Sequence, residues 1–154
     1  MRGFTLIELL IISGIAVIIG TIGVLNLTGF RARNSLNLAV QELKANLRDV
    51  QQRSISQDQG KQWGVHLDAS AGGDDFYKVF SGSSYAGGIV SKTLYLSPTL
   101  QFLSPAQGAA DDIIFDKVTG NVPAVHSIVI ALADDNAVSR SIIISTSGLI
   151  NLLP

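Results

Sequence analysis

The sequence contains no cysteine and carries little net charge. The absence of cysteine excludes disulfides, thiolate metal sites and a cysteine nucleophile, so the folded part of the chain depends on its core alone. The net charge is −1 and the isoelectric point is near 6.0, which gives no general basic surface for nucleic acid. Once an N-terminal segment of roughly 30 residues is set aside, the remainder is enough for one compact domain.

Charge is almost absent from that N-terminal segment, where the apolar run at residues 6–27 carries only Glu8. The run has roughly 22 residues, and an α-helix needs about 20 to cross the hydrocarbon core of a bilayer. A buried core helix is disfavoured because so short a chain cannot cover the run on all sides. A cleaved secretory signal is disfavoured because its small-residue candidates, at 13–14 and 21–23, lie inside the run. We therefore expect a membrane-spanning helix.

Glu8 is the informative residue of this run. A carboxylate near a helix N-terminus gains from the helix dipole, but a charge inside a membrane is costly and normally marks a partner. The nearest cation that offsets it is a chain amine. If the chain is cut after Gly3, Phe4 becomes the new N-terminus, and its ammonium on one subunit can pair with Glu8 of a neighbouring subunit.

The segment Gly3-Phe4-Thr5-Leu6-Ile7-Glu8, followed by an apolar helix, resembles the processing signal of type IV pilins and type II secretion pseudopilins. The resemblance implies that a prepilin peptidase cleaves between Gly3 and Phe4, that Phe4 is N-methylated, and that Glu8 guides assembly into a filament. It also implies a single-pass protein of the inner (cytoplasmic) membrane, with its head outside the cytoplasm. The implied partners are membrane lipid before assembly, the inner-membrane assembly platform, and other pilin or pseudopilin subunits.

Proline is absent before Pro98. Major pilins usually carry a proline at the position that corresponds to Leu25, whereas this region has glycines at positions 14, 20, 23 and 29. Glycine costs about 1 kcal/mol relative to alanine inside a helix, so the segment can melt locally but has no fixed kink. This difference favours a minor pilin or pseudopilin, and a major pilin of the filament shaft stays an alternative.

Helical periodicity continues beyond the apolar run. Apolar residues that alternate in steps of four and three predict an amphipathic helix, and they are Leu36, Val40, Leu43, Leu47 and Val50. Gly60 is a plausible stop, so we expect the helix to reach about Asp58. The predicted parts of the chain are a leader peptide at 1–3, a transmembrane or filament-core helix at 4–30, an amphipathic helix half at 31–60 and a β-rich head at 61–154.

The head shows alternating or short apolar segments from Gln62 onward. Many short strands at hairpin spacing favour antiparallel pairing. The predicted fold is α+β, with a long N-terminal helix packed on an antiparallel β-sheet or a small β-sandwich. Strands are predicted at 63–67, 76–80, 90–96, 100–103, 113–115, 127–132, 141–145 and 149–152.

The head carries a second resemblance, to the GspH/FimT group. The matching elements are the Trp63-Gly64-Val65 strand soon after the helix, Ile113-Ile114-Phe115 with Gly120 after it, and the segment 140–150. The group contains minor pseudopilins of type II secretion and minor type IV pilins, which initiate or cap a filament and do no chemistry. A DNA-uptake minor pilin and a non-polymerising, single-pass anchored binding domain remain alternatives.

No arrangement of catalytic residues stands out in the sequence. His66 and His126 are isolated in or beside predicted strands and are interpreted as structural. The acidic pairs Asp74-Asp75, Asp111-Asp112 and Asp134-Asp135 are typical of turns. Carboxylate oxygens of this kind can bind Ca²⁺, but the acidic residues do not have the spacing of an EF-hand. We therefore expect no enzyme activity and no cofactor, and Ca²⁺ stays an alternative.

DNA uptake is the one nucleic-acid alternative. The resemblance associates that role with a Gly-Arg-x-Arg element, where this chain has Gly148-Leu149-Ile150-Asn151. Phosphate contacts supply most of the affinity for DNA, and Arg140 and Lys117 alone are few cations. Nucleic acid is therefore not an expected partner.

Overall fold

The computed structural model describes residues 4–153, with their side chains except for those at 20–28. This part of the chain forms one long helix, a turn of 3₁₀ helix at Asp58–Gly60 and eight strands. The chain divides into two compact units, Met1–Asn34 and Ser35–Pro154. The helix α1 spans Leu6–Ile55, and the strands are β1 Trp63–Asp68, β2 Phe76–Ser81, β3 Ile89–Tyr95, β4 Leu100–Ser104, β5 Ala110–Phe115, β6 His126–Leu132, β7 Asp135–Ile144 and β8 Ile150–Leu153.

The helix α1 contains no proline, so no residue removes a backbone donor or forces a kink. It ends at Ile55, earlier than the predicted end near Asp58. The reason is Gln57, which adopts the left-handed conformation with φ 53° and ψ 42° and so cannot continue the helix. Gly60, with φ 67°, belongs to the connection that leads into β1 rather than to the helix end itself.

The unit Ser35–Pro154 consists of the second half of α1 and two four-stranded antiparallel sheets. The strand order is β3-β2-β1-β5 in the first sheet and β4-β6-β7-β8 in the second. The predicted α+β fold is confirmed, and the head contains two antiparallel sheets rather than one. Every predicted strand segment overlaps an observed strand, with ends that differ by one residue in most cases. The strand β7 begins at Asp135, well before the predicted residue 141, because Asp135 already pairs with Leu132.

The apolar seam of α1 lies in the core of the head, as its periodicity predicts. Each of its side chains is at most 1% exposed. Burial of a side chain of this size contributes about 1.5–3 kcal/mol relative to exposure, so the seam fastens the helix to both sheets. Its residues are Leu36, Val40, Leu43, Leu47 and Val50, and they pack in one cluster with Val65, Leu67, Phe102, Ile113, Phe115, Ile128, Ile130, Ile142 and Ile144.

Two polar side chains fix the last turns of α1 to the head. The side-chain amide of Gln51 donates to the carbonyls of Gly120 at 3.0 Å and Gly148 at 2.8 Å. Ser54 is fully buried, and its hydroxyl donates to the carbonyl of Phe115 at 2.6 Å. These bonds join three backbone carbonyls of the head to the helix end, so they specify where the helix end sits on the head.

Candidate functional site

The predicted processing site lies at the start of the chain. Gly3 is outside the described residues, so the structure describes only the Phe4 side of the bond that we expect to be cleaved. Phe4 precedes α1, and its side chain is 80% exposed. An accessible, non-helical segment is what a peptidase requires, and cleavage and methylation at this position remain predictions.

Glu8 lies in the first turn of α1, where it is bonded to Thr5. The backbone N–H of Thr5 donates to Oε2 of Glu8 at 2.9 Å, and the Thr5 hydroxyl donates to the same oxygen at 2.8 Å. The N–H of Glu8 lies 3.4 Å from the Thr5 hydroxyl oxygen, which accepts from it. This reciprocal arrangement is a capping box, with Thr5 as the N-cap.

The sequence predicts a partner for Glu8 on another subunit, and it does not by that argument predict that Glu8 caps its own helix. The signal was present, because Thr5 and Glu8 have the Thr-x-x-Glu spacing of a capping box directly before an apolar run. The carboxylate therefore has a reason to be in the first turn that is independent of any neighbouring subunit. The intermolecular role of Glu8 remains a prediction.

The described part of the first unit exposes large apolar side chains. Soluble proteins rarely expose contiguous apolar surface of more than a few hundred Å². In the described residues, however, no helix contains a stretch both long and apolar enough to cross a membrane, and the side chains at 20–28 lie outside that description. The exposed set, 52–81% accessible, is Phe4, Leu6, Ile7, Leu9, Leu10, Ile11, Ile12, Ile15, Val17, Ile18 and Ile19.

The head has an open groove of about 240 Å³. Two of its apolar residues are strongly exposed, Leu38 at 59% and Tyr95 at 68%. Pockets that bind cofactors or drug-sized ligands usually measure about 300–1,000 Å³, so this groove is nearer the size of one or two side chains. Sequence analysis missed it because its walls come from distant positions, namely Ser35, Leu38, Ala39, Glu42, Tyr77, Tyr95, Leu96, Ser97, Leu100 and Ile130.

Glu42 is the acidic residue of the groove wall. Asn46 donates to its backbone carbonyl at 3.0 Å, but within the described residues its carboxylate has no hydrogen bond or ion pair. Burial and the charge of Glu42 raise the pKa of Tyr77 to about 12, although the hydrogen bond from Asn46 to the Tyr77 hydroxyl opposes this shift. The groove thus combines apolar and aromatic walls with one uncompensated negative charge.

The two histidines pair with adjacent aspartates of β5. Nδ1 of His66 lies 2.6 Å from Oδ1 of Asp112, and Nδ1 of His126 lies 2.9 Å from Oδ2 of Asp111. The hydrogen bond with His126 is the main cause of a lowered pKa of Asp111. The Asp111-Asp112 pair was predicted to form a turn, and that prediction is wrong, because both residues lie in β5, where each carboxylate is within hydrogen-bond distance of a histidine.

Asp75 is a buried carboxylate, 3% exposed, that holds three segments of the head together. It accepts hydrogen bonds from the backbone N–H of Ser70 at 2.8 Å and of Phe102 at 2.5 Å, and from the side-chain amide of Gln107 at 3.1 Å. These N–H donors occupy the oxygens that a Ca²⁺ ion would need. Across the described residues, no group of three or more His, Asp or Glu is placed to hold a metal ion.

The two cations considered for DNA binding are each engaged locally. Arg140, on β7, donates to the carbonyl of Ser139 at 3.0 Å, and Nζ of Lys117 donates to the carbonyl of Gly60 at 2.6 Å. Gly148 adopts a φ of 77° in the turn before β8, and this left-handed conformation allows the chain to reverse direction. The geometry at these positions is therefore explained by local structure.

The comparison with known proteins finds relatives among solved structures, whereas no family model and no curated protein matches the chain. The type IV minor pilin FimU of Pseudomonas aeruginosa is 22% identical, with a TM-score of 0.57 over 81% of this chain and 92% of FimU. A second crystal form of FimU gives 21% identity and a TM-score of 0.54. The minor pseudopilin EpsH of the type 2 secretion system of Vibrio cholerae is 13% identical, with a TM-score of 0.52 over 77% of this chain and 95% of EpsH.

At these identities the likeness concerns the fold. Both neighbours are pilin-type proteins, one a minor pilin and the other a minor pseudopilin, which agrees with the resemblance carried by the N-terminal motif. The long helix packed on antiparallel sheets is the arrangement that this chain shares with them. The chain therefore has a pilin-like fold.

Proposed function

We propose that this chain is the precursor of a minor pilin or minor pseudopilin, a structural subunit that initiates or caps a filament. One observation carries the proposal: the motif Gly3-Phe4-Thr5-Leu6-Ile7-Glu8 leads into the first turn of a helix with exposed apolar side chains, in a chain whose fold resembles that of the minor pilin FimU and the minor pseudopilin EpsH. The role is structural and includes no catalytic step.

The processing steps follow from the N-terminal motif. A prepilin peptidase removes residues 1–3, and Phe4 becomes the methylated N-terminus. The segment at 4–30 is held in the lipid of the inner membrane, with the head outside the cytoplasm. The assembly platform then transfers the subunit into a filament, where packed helices replace lipid around the apolar side chains, so the apolar surface stays out of water throughout.

Glu8 supplies the electrostatic part of this transfer. Both hydrogen bonds from Thr5 end on Oε2, and within the described residues Oε1 has no hydrogen-bond partner. A carboxylate can accept several hydrogen bonds, so Oε1 is available to the Phe4 ammonium of a neighbouring subunit while the capping box stays intact. Both charges are already out of water in the membrane, so their attraction is weakly screened and favours the register in which a neighbour's N-terminus reaches Glu8.

The proposal is tested by mass spectrometry of the protein purified from its native cell. We expect a species that begins at N-methylated Phe4, and an intact Met1 with no species beginning at Phe4 would overturn the proposal. Quantification of sheared filaments tests the minor role. We expect the chain to be a small fraction of the filament protein, whereas a dominant share would make it the shaft subunit.

A further inference from the structure

The strand β3 is an open edge of the first sheet. It spans Ile89–Tyr95, pairs with β2 on one side and has no strand on its other side. Alternate residues of an edge strand direct both their N–H and their C=O groups away from the sheet. Among the hydrogen bonds of the described residues, none outside the pairing with β2 reaches a backbone group of this strand. The outer side of β3 therefore presents a row of backbone donors and acceptors with no partner in the described part of the head.

The other edges of the two sheets are covered or short. On β4, the N–H of Phe102 donates to the carboxylate of Asp75, and the Phe102 carbonyl accepts from Gln107 at 3.0 Å. The strand β8 has only four residues. The strand β5 is tied to the second sheet by the hydrogen bond between Asp111 and His126. Proteins commonly protect sheet edges in such ways, because an open edge is a template for another chain, so the long open edge of β3 stands apart.

The side chains of β3 are as open as its backbone. Six of its seven residues are exposed. Apolar side chains stand at both ends, with Ile89 62%, Val90 44% and Tyr95 68% exposed. Lys92 lies at the centre, and no described residue forms an ion pair with it. An apolar edge with one central cation favours a strand that places a carboxylate opposite Lys92.

Lys92 also disfavours a second copy of β3 as the partner. The antiparallel register that pairs all seven residues is centred on residue 92, so it would place two lysines directly opposite each other. Like charges in that position are destabilising, and lysine on an edge strand is a common protection against self-association. The edge therefore selects against its own sequence and in favour of an acidic one.

We infer that β3 binds an extended segment of a different protein, which adds a fifth strand to the first sheet and places an aspartate or glutamate opposite Lys92. In this mode of recognition the backbone hydrogen bonds supply affinity, and the alternating side chains supply specificity. The inference goes beyond the proposed function, because the contact requires the folded head and not an assembled filament.

The first test uses the full chain in detergent and a fluorescent peptide with the sequence of residues 88–96, in which glutamate replaces Lys92. In the centred antiparallel register, this glutamate faces Lys92 of the chain. We expect the peptide to bind roughly fivefold more tightly than the peptide of unaltered sequence, as measured by fluorescence anisotropy. Lys92→Glu in the chain, at an exposed position, should reverse the preference. Equal binding of the two peptides, or binding of neither, would overturn the inference.

The second test separates backbone pairing from a charge contact alone. Two versions of the glutamate peptide are N-methylated on the backbone, one at positions 89, 91, 93 and 95 and the other at positions 90, 92 and 94. Only one set of N–H groups faces β3, so one version should bind and the other should not. Hydrogen exchange of the chain should slow at alternate amides of β3 when the peptide binds. Equal behaviour of the two methylated versions would contradict strand addition.

The identity of the natural partner is tested in the native cell. A photo-crosslinking amino acid replaces Thr93, which is exposed on β3. We expect adducts with a segment of a different protein that contains aspartate or glutamate, and several-fold less adduct when the chain also carries Lys92→Glu. Adducts with a second copy of this chain, with lipid alone or with no molecule would overturn the inference. Processing at Phe4 is measured separately, so this failure is distinguishable from failure of the proposed function.

Discussion

Thr5 and Glu8 form a closed pair at the helix N-terminus, joined by hydrogen bonds of 2.9 and 2.8 Å to a single carboxylate oxygen. The pair gives Glu8 a local role in starting α1 and leaves its other oxygen for a proposed partner on a neighbouring subunit. Loss of Glu8 would therefore disturb two things at once, the helix start and the intersubunit contact. A substitution that removes the charge of Glu8 but keeps its capping bond is therefore more informative than alanine.

We predict that Glu8→Gln and Glu8→Ala both prevent filament assembly. Glutamine keeps the capping box, because the motif accepts Gln in place of Glu at the third helical position, whereas alanine removes the acceptor for the Thr5 N–H. If the charge is what matters, the two variants fail equally in a filament-shearing assay, although both are still present in the membrane. Normal assembly of Glu8→Gln would show that capping, not charge, explains Glu8.

We predict that Gln51→Ala lowers the free energy of unfolding of the full chain in detergent by about 1–3 kcal/mol. The substitution removes the donor for the carbonyls of Gly120 and Gly148. Unfolding can be followed by the fluorescence of Trp63, the one tryptophan of the sequence, which is 2% exposed. Gln52→Ala is the control, since Gln52 is exposed, and equal losses in the two variants would contradict the assigned role.

We predict that Gly148→Ala destabilises the head by at least about 2 kcal/mol. A Cβ at this position would overlap the carbonyl oxygen of Gly120 and the side-chain nitrogen of Gln51, and φ is 77°, where side chains are strained. Gly72→Ala should change little, because a Cβ there meets open space. Similar denaturation midpoints for both variants would rule out the close approach.

We predict that Asp111 makes the head sensitive to acid. Its pKa lies below the usual 3.8 in the folded state, chiefly because of the hydrogen bond with His126. The unfolded chain therefore takes up this proton first as the pH falls. The stabilising contribution is complete above about pH 5 and is lost as the pH drops through the folded-state pKa.

The measurement is the free energy of unfolding between about pH 6 and pH 3, with Asp111→Asn compared with the unaltered chain. The variant should be less stable near neutral pH and should lose less stability on acidification. Asp74→Asn is the control, because Asp74 is exposed and lies in a loop. An unchanged acid slope in Asp111→Asn would refute the assignment.

The residues that sequence analysis placed well are those whose signal is periodic. The steps of four and three from Leu36 to Val50 predict one buried helix face, and the structure buries each of those side chains. The helix end was misplaced by three residues because Gln57 adopts a left-handed conformation, which no residue preference of glutamine indicates. Asp111 and Asp112 were misplaced because their histidine partners come from other strands.

The sequence by itself determined the N-terminal motif, the uninterrupted helix, the buried seam and the antiparallel head, because periodicity and the absence of proline act through near neighbours along the chain. Only the tertiary structure decided that Glu42, Tyr77 and Ile130 share one groove, that Gln51 bridges two distant turns, and that each histidine has an aspartate partner. These relationships depend on which distant segments the two sheets bring together. The pairing of distant segments depends on how all the side chains of the core pack together, and local sequence patterns do not contain that information.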